Sequence, residues 1–374
     1  MKTLFPGICF VAVAVAAVAS AAEPVSAPSG SVPATATYNG KAAGAYLDGR
    51  LTWWTTWPTA SRDHDTFCVS CHTALPYAMA RPALRKTLAE AGPSPIEEKF
   101  LANVTKRVRM WQQVEPFYPD AVMGTGKTIE SRGTESILNA LVLSNYDSAS
   151  TKMSPDTRLA LDNMWAEQLK TGDAKGAWNW LQFHNAPFEG DSQYYGAALA
   201  AVAVGLAPGD YRSSPEIQDN LNLLRGYLNS QRDSQTLLDR VVLMWASARI
   251  PGLLTPAQRD ALITEVLSKQ QADGGFSLSN FVGNWKRRDK TPLESKSDGY
   301  ATGLVTYVLQ QNGMKPDQPS LKRGIAWLNA NQDPTEGRWL SYSLNKERDL
   351  TSDVGRFMSD AATAYAVLSI EKSR

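Results

Sequence analysis

Gly299-Tyr300-Ala301-Thr302-Gly303-Leu304-Val305-Thr306-Tyr307-Val308-Leu309 carries no charged side chain and no polar face at helical spacing. A helix that is apolar all round is buried on every side. The same texture returns in Gly196 to Leu206 (GAALAAVAVGL), Ala361 to Ile370 (AATAYAVLSI) and, nearly so, Glu135 to Leu143 (ESILNALVL). Between these lie amphipathic runs opened by a shared device: Ser or Thr as N-cap, then Pro at the first helical position. Ser94-Pro95-Ile96-Glu97, Ser154-Pro155-Asp156, Ser214-Pro215-Glu216 and Thr255-Pro256 follow it, and Glu97 stands where a capping box needs it. Their runs end near Trp111, Lys170, Ser230 and Gln270, and a fifth run follows Pro319-Ser320 to Asn331. Buried helices alternating with amphipathic ones predict an all-α chain in two layers, an inner and an outer ring. Strand signals are nearly absent.

Composition agrees with a folded chain of ordinary type. The 374 residues are 43% hydrophobic, with Lys+Arg 38 against Asp+Glu 37. A net charge of +1 leaves no electrostatic footprint for nucleic acid or an anionic membrane surface. Eleven Trp, thirteen Tyr and ten Phe are enough for a large core or a wide aromatic-lined cavity, and three Cys do not make a disulfide scaffold.

Residues 1–22 have the order of a secretory signal peptide: Lys2, an apolar run from Ile8 to Val18, then Ala19-Ser20-Ala21-Ala22. The run is too short to span a bilayer, although an uncleaved anchor is the alternative. Cys9 lies inside it and is expected to leave with the peptide. Residues 23–37, rich in Pro, Ser and Ala, read as a flexible leader. The expected location is therefore periplasmic or secreted.

A weak internal repeat runs through the rest. Its last copy is Lys322-Arg323-Gly324-Ile325-Ala326-Trp327-Leu328, followed by Gln332, Gly337 and Trp339. An earlier turn is Gln271-Ala272-Asp273-Gly274-Gly275-Phe276. Gly226 to Gln231 and Trp165, Gln168, Gly176 and Trp178 are poorer copies. A Gln side chain there can satisfy backbone groups at a helix end, while the aromatic ring covers the next helix.

Over residues 131–372 this pattern resembles the Gln-Trp repeats of the terpenoid cyclase and protein prenyltransferase toroids. The resemblance implies an (α/α)6-type toroid with inner helices beginning near residues 131, 191, 234, 297 and 357. Helices near 41–57 and 73–90 would complete six pairs. Squalene–hopene-type cyclases protonate their substrate from a D-x-D-D motif, which the chain lacks; Asp63-His64-Asp65-Thr66 is the nearest stretch. Protein prenyltransferases hold zinc through a Cys inside the barrel, and no Cys lies there. The resemblance thus carries the fold and neither family's activity.

Cys68-Val69-Ser70-Cys71-His72 is a CxxCH sequence, the attachment signature of c-type haem. Two thiols three positions apart reach both vinyl groups of one porphyrin, and the adjacent imidazole can ligate iron. Export agrees, because haem c is attached outside the cytoplasm. A lone disulfide, a structural zinc site and a chance match are the rival readings. The disulfide lacks a βαβ setting, and zinc has only His64, His72 and His184 to draw on. Residues 38–93 are accordingly read as an N-terminal helical segment bearing covalent haem c, and residues 94–374 as the toroid.

For the sixth iron position His184 ranks first, in the loop Leu181 to Pro187, then Met123 and Met79. Its bland reading is a hydrogen-bonded loop histidine, and Met near helices is commonly packing. Ala121-Val122-Met123-Gly124-Thr125-Gly126-Lys127-Thr128 matches a variant phosphate-binding loop, but Glu115 to Asp120 cannot be the central strand such a loop requires. No nucleotide is expected.

Polar residues gather at the expected inner-helix starts: Arg132 and Glu135; Glu189, Asp191, Tyr194 and Tyr195; Asp298 and Tyr300; and Asp360. They could line one mouth of a toroid. The competing reading makes Asp191 and Asp298 N-caps and leaves Arg132 and Glu135 as a buried pair or a ligand contact. Two function classes follow. One is electron transfer or redox chemistry with a partner protein, or on an apolar, isoprenoid-like small molecule. The other is a binding scaffold with a structural or sensory haem.

Overall fold

Asn39 opens the first helix by accepting the Ala42 N–H at 3.0 Å. The computed structural model describes residues 37–374, so the signal-peptide reading and all but the last residue of the leader lie outside the described residues. The chain is all-α. In order its helices are α1 (Gly40–Thr56), α2 (Ala74–Leu88), α3 (Pro95–Arg109), α4 (Asp120–Met123), α5 (Lys127–Asp147), α6 (Pro155–Ala166) and α7 (Tyr194–Leu206). There follow α8 (Gln218–Gln231), α9 (Leu237–Ser247), α10 (Pro256–Leu267), α11 (Gly299–Gln311), α12 (Pro319–Ala330) and α13 (Phe357–Ser373). One two-residue antiparallel pair, β1 (Ser61–Arg62) and β2 (Thr66–Phe67), is the only sheet among the described residues. No described helix is long and apolar enough to cross a membrane.

The apolar runs are the buried helices. Every residue of α11 from Gly299 to Gln310 is buried, and α7 is buried at all but Gly205. Contacts arrange six helices in a closed cycle: α2 against α5, α5 against α7, α7 against α9, α9 against α11, α11 against α13, and α13 back against α2. The amphipathic helices α1, α3, α6, α8, α10 and α12 pack outside them. Neighbouring inner helices run parallel. Along α11 and α13, a Cβ on Gly303 would meet the Ala366 backbone, and Gln310 donates to the Ser369 carbonyl at 3.1 Å. Inner-helix N-termini therefore share one face of the ring.

Three turns repeat with the same bonds. Gln168, Gln270 and Gln332 each donate through Nε2 to the carbonyl of a following glycine, Gly176, Gly274 or Gly337. Each also donates to the start of the next outer helix, at the Asn220, Ser320 or Asn39 carbonyl. The third turn closes the ring: Gly337 has φ +76°, and a Cβ there would stand 2.5 Å from the Ala42 backbone of α1. In the second turn the anchor is Gln270; Gln271, which begins the turn quoted from the sequence, accepts from Ser297 instead. Two adjacent glutamines made this a one-residue ambiguity. Trp178 and Trp339 donate their indole N–H groups back to Met164 in α6 and Leu328 in α12, covering those helix ends.

Helix starts need two corrections. Ser214 caps no helix, because Pro215–Ile217 forms a 3₁₀ turn ahead of α8. Helix α12 begins at Pro319 itself, after Gln318. The runs expected to reach Trp111, Lys170 and Gln270 stop at Arg109, Ala166 and Leu267, because the next residues enter turns. In the phosphate-loop-like stretch, Asp120 Oδ1 accepts the Thr128 N–H at 2.7 Å and Thr128 Oγ1 accepts the Asp120 N–H at 3.0 Å. That loop is closed on itself.

Candidate functional site

The Cys68–His72 segment joins β2 to α2 at the face where the inner helices begin. Outer helices hold it. Trp54 of α1 donates to the Cys68 carbonyl at 2.7 Å, and Asn103 of α3 clamps Phe67 through both backbone groups. Ser70 Oγ accepts the Ala74 N–H at 3.0 Å and so satisfies one of the free amides at the start of α2.

Cys68 and Cys71 are both unpaired thiols and both buried. Burial pushes the Cys68 thiol up to about 12. Burial also raises Cys71, with the Glu189 carboxylate adding to the effect. The rival disulfide is not formed.

His72 lies beside them with a fixed imidazole. Its Nδ1 is 2.9 Å from Thr73 Oγ1, and Thr73 donates its hydroxyl proton to Asp360 Oδ2 at 2.6 Å. Thr73 has one proton to give, so it must accept from His72 Nδ1–H, and the lone pair falls on Nε2. Asp360 is anchored in turn, accepting from Tyr46 and Arg50 at 2.8 Å each. Burial pushes the Asp360 carboxyl up, and the Arg50 guanidinium pulls it back. Burial lowers His72 to about 3, with Arg50 and Arg348 adding, so the ring is neutral. Phe357 stacks on it at 3.7 Å, with Trp54 edge-on at 5.1 Å and Phe188 at 6.2 Å.

His72 lines a cleft of about 190 Å³, walled by Trp54, Trp57, Phe188 and Phe357. Tyr118 and Glu189 form part of its polar edge. Arg348 lines the same cleft, half-buried and with no carboxylate partner among the described residues. Burial lowers its guanidinium. A partly buried cation without a counter-charge is costly unless an anion completes it.

Of the rim residues named from the sequence, only Glu189 joins His72 in this cleft. Glu135 and Arg132 do not pair with each other: Glu135 is bound by Arg107 of α3 at 2.5 and 3.0 Å, both side chains fully buried. Arg132 donates to the Trp111 and Val114 carbonyls. Asp298 is the N-cap of α11, accepting from Tyr300 and Ala301, and Tyr194 donates to the Leu228 carbonyl. Asp191 caps nothing; it binds His184 at 2.8 Å on an exposed edge and lines a second cleft with Tyr195, Asp239 and Trp285. Tyr300 is inside the ring, fully buried.

The sixth-ligand candidates also fall elsewhere. His184 stacks on Trp285 at 4.2 Å and is not part of the wall around His72. Met123 is 45% exposed on the short α4, and Met79 is packed in the core of α2. Met358 does line the cleft, next to the Phe357 that stacks on His72. Its place at the start of an inner helix, expected near residue 357, was the sequence signal for it. Among the described residues no three His, Cys, Asp or Glu converge as a metal cluster.

No known protein family matches the chain, and no curated protein does. Among solved structures it is similar to a glycosidase variant, with TM-score 0.49 and 12% identity over 88% of this chain and 97% of the other. A glycosidase variant in complex with glucose gives TM-score 0.46 and 13% identity at the same coverages. Likeness at this level carries neither fold nor activity to the chain.

Proposed function

We propose that the chain is an exported c-type haem protein whose helical cycle is a terpenoid cyclase-like (α/α)6 toroid. Cys68 and Cys71 would form the thioethers, and His72 Nε2 would be the proximal iron ligand. The observation that carries this is the Asp360–Thr73–His72 chain, which leaves a neutral imidazole with a bare Nε2 on a residue that follows two free thiols in sequence and lines an aromatic cleft. Arg348 fits the group as well, as a cation awaiting the carboxylates at a porphyrin edge. A hydrogen bond to the far nitrogen of a ligating imidazole, of the kind Thr73 and Asp360 supply, orients the ring and raises its basicity.

Haem would supply one-electron chemistry at iron; the protein's part is to orient His72, keep water from its face with Phe357 and Trp54, and balance charge with Arg348. The interior of the ring favours electron transfer over a buried isoprenoid-like substrate. Trp245, Tyr300, Tyr307 and Tyr365 occupy it at 7% exposure or less, so an apolar ligand is better placed in the His72 cleft. A redox partner protein would meet the protein at that same face. Expression in a host with haem c maturation, followed by intact mass and visible absorbance of wild type and Cys71→Ala, tests the reading. A stable porphyrin adduct in wild type, lost in the variant, is expected.

A further inference from the structure

The second cleft, of about 270 Å³, opens between the N-terminal ends of α7 and α9. Asp191, Ser192, Ser234, Gln235, Thr236 and Asp239 supply its polar side chains, and Trp285 forms part of its apolar wall. Ala186 is the one lining residue it shares with the His72 cleft. Nothing in it depends on haem.

Its side-chain donors are spent inside the protein. Ser192 gives its hydroxyl proton to Gln235 Oε1 at 3.1 Å, and Ser234 gives its own to the Gln231 carbonyl at 2.7 Å. Gln235 Nε2 donates to the Gln231 carbonyl at 3.3 Å and to Ser234 Oγ at 3.0 Å. Thr236 donates to Asp239 Oδ2 at 2.7 Å, and the Trp285 indole N–H to the Leu344 carbonyl at 2.8 Å. The Tyr195 hydroxyl lies against those of Tyr300 and Tyr365. Acceptors are what remains. Asp239 Oδ1 has no partner among the described residues, and neither has Asp191 Oδ1, since His184 takes Oδ2. No Lys or Arg pairs with either carboxylate there; Arg240 is bound to Glu265 and Arg232 to Asp233. Burial raises the Asp239 carboxyl to about 6, so at neutral pH it is a largely buried anion without a counter-ion. Such a charge is costly unless a cation completes it.

We infer that this cleft binds a small primary amine, with its ammonium on Asp239 and its apolar body along Trp285. An ammonium has donors and no acceptor, which matches a wall of spent donors and open carboxylate oxygens. A sugar brings acceptors that find no free side-chain donor, and a carboxylic acid brings charge of the wrong sign. A calcium ion takes about six to eight oxygens, more than two carboxylates supply. His184 covers one face of the Trp285 ring at 4.2 Å and is itself bound by Asp191, so the indole is a fixed wall. Over that wall a cation gains from the ring's electron-rich face. Leu238, Val282 and Pro187 supply the apolar lining for the rest of the ligand.

Calorimetric titration of the full chain at neutral pH with phenethylamine, phenethyl alcohol, phenylacetate, glucose and calcium chloride tests this. The amine is expected to bind, its neutral alcohol counterpart at least about tenfold more weakly, and the other three not at all. Asp239→Asn keeps an oxygen for the Thr236 hydroxyl and removes the charge. Amine affinity is expected to fall at least about tenfold in this variant, with the helical circular dichroism unchanged. Should the variant lose its helical signal, the order of the five probes on wild type decides alone. Equal binding of amine and alcohol, or a preference for glucose, phenylacetate or calcium, overturns the assignment. So does a folded Asp239→Asn protein with wild-type affinity, or a wild type that takes up no amine.

Discussion

Thr73 gives its only hydroxyl proton to Asp360 across 2.6 Å, and that bond decides which nitrogen of the neighbouring imidazole is bare. Asp360→Asn removes the carboxylate that Tyr46, Arg50 and Thr73 share. Breaking a buried charge pair from one side costs about 3–5 kcal/mol. Asp353 also holds Arg50, so the lower end is expected, read as a shift in urea midpoint. Thr73→Val, which keeps the shape and loses the relay, is expected to broaden the His72 ring-nitrogen NMR signals as both tautomers populate.

The Arg107–Glu135 pair is buried on both sides and ties α3 to α5. Glu135→Gln should cost about 3 kcal/mol, the lower end of the range for a broken buried pair, because Asp63 at 3.6 Å still faces the Arg107 guanidinium. Arg132→Gln, which loses two carbonyl contacts on a half-buried side chain, should cost about 1 kcal/mol. Equal losses would mean that Glu135 draws on Arg132 after all.

Ring closure depends on the last turn. Gly337→Ala places a methyl against the Ala42 backbone at a left-handed φ of +76°. A loss of at least about 2 kcal/mol is expected, against about zero or a slight gain for Gly92→Ala, which meets open space. Hydrogen exchange should quicken at Asn39 to Ala43 in the first variant.

Asp298 gives a pH signature. Burial raises its carboxyl to about 6, against its bonds from Ala301, Leu278, Ser341 and Tyr300. The folded state therefore holds this proton at a pH where the unfolded chain has released it. The stabilisation is complete below about pH 4 and lost as pH rises through about 6. Relative to Asp298→Asn, which does not titrate, wild type should gain about 2 kcal/mol between pH 7.5 and pH 4. A parallel pair of stability curves would count against this.

Much of the ring was readable in the chain because a helix buried on all sides has a composition no exposed helix tolerates; α7, α11 and α13 announced themselves. The repeated Gln turn was readable in kind but not in register, since only the Gly274 and Ser320 carbonyls choose Gln270 over Gln271. The site was legible only in part. CxxCH marks the Cys68–His72 segment locally, but Asp360 reaches Thr73 over 287 residues and Arg107 reaches Glu135 over 28. Pairings at such separations follow from topology. Arg348 lies in a loop with no motif around it, and only its place in the cleft singles it out.

Absorbance and intact mass of protein purified from cells with haem c maturation test the haem assignment most directly. A Soret band that stays with the denatured polypeptide, and a mass raised by one porphyrin in wild type but not in Cys68→Ala/Cys71→Ala, is the predicted result. Colourless protein with the mass of its polypeptide alone would contradict it.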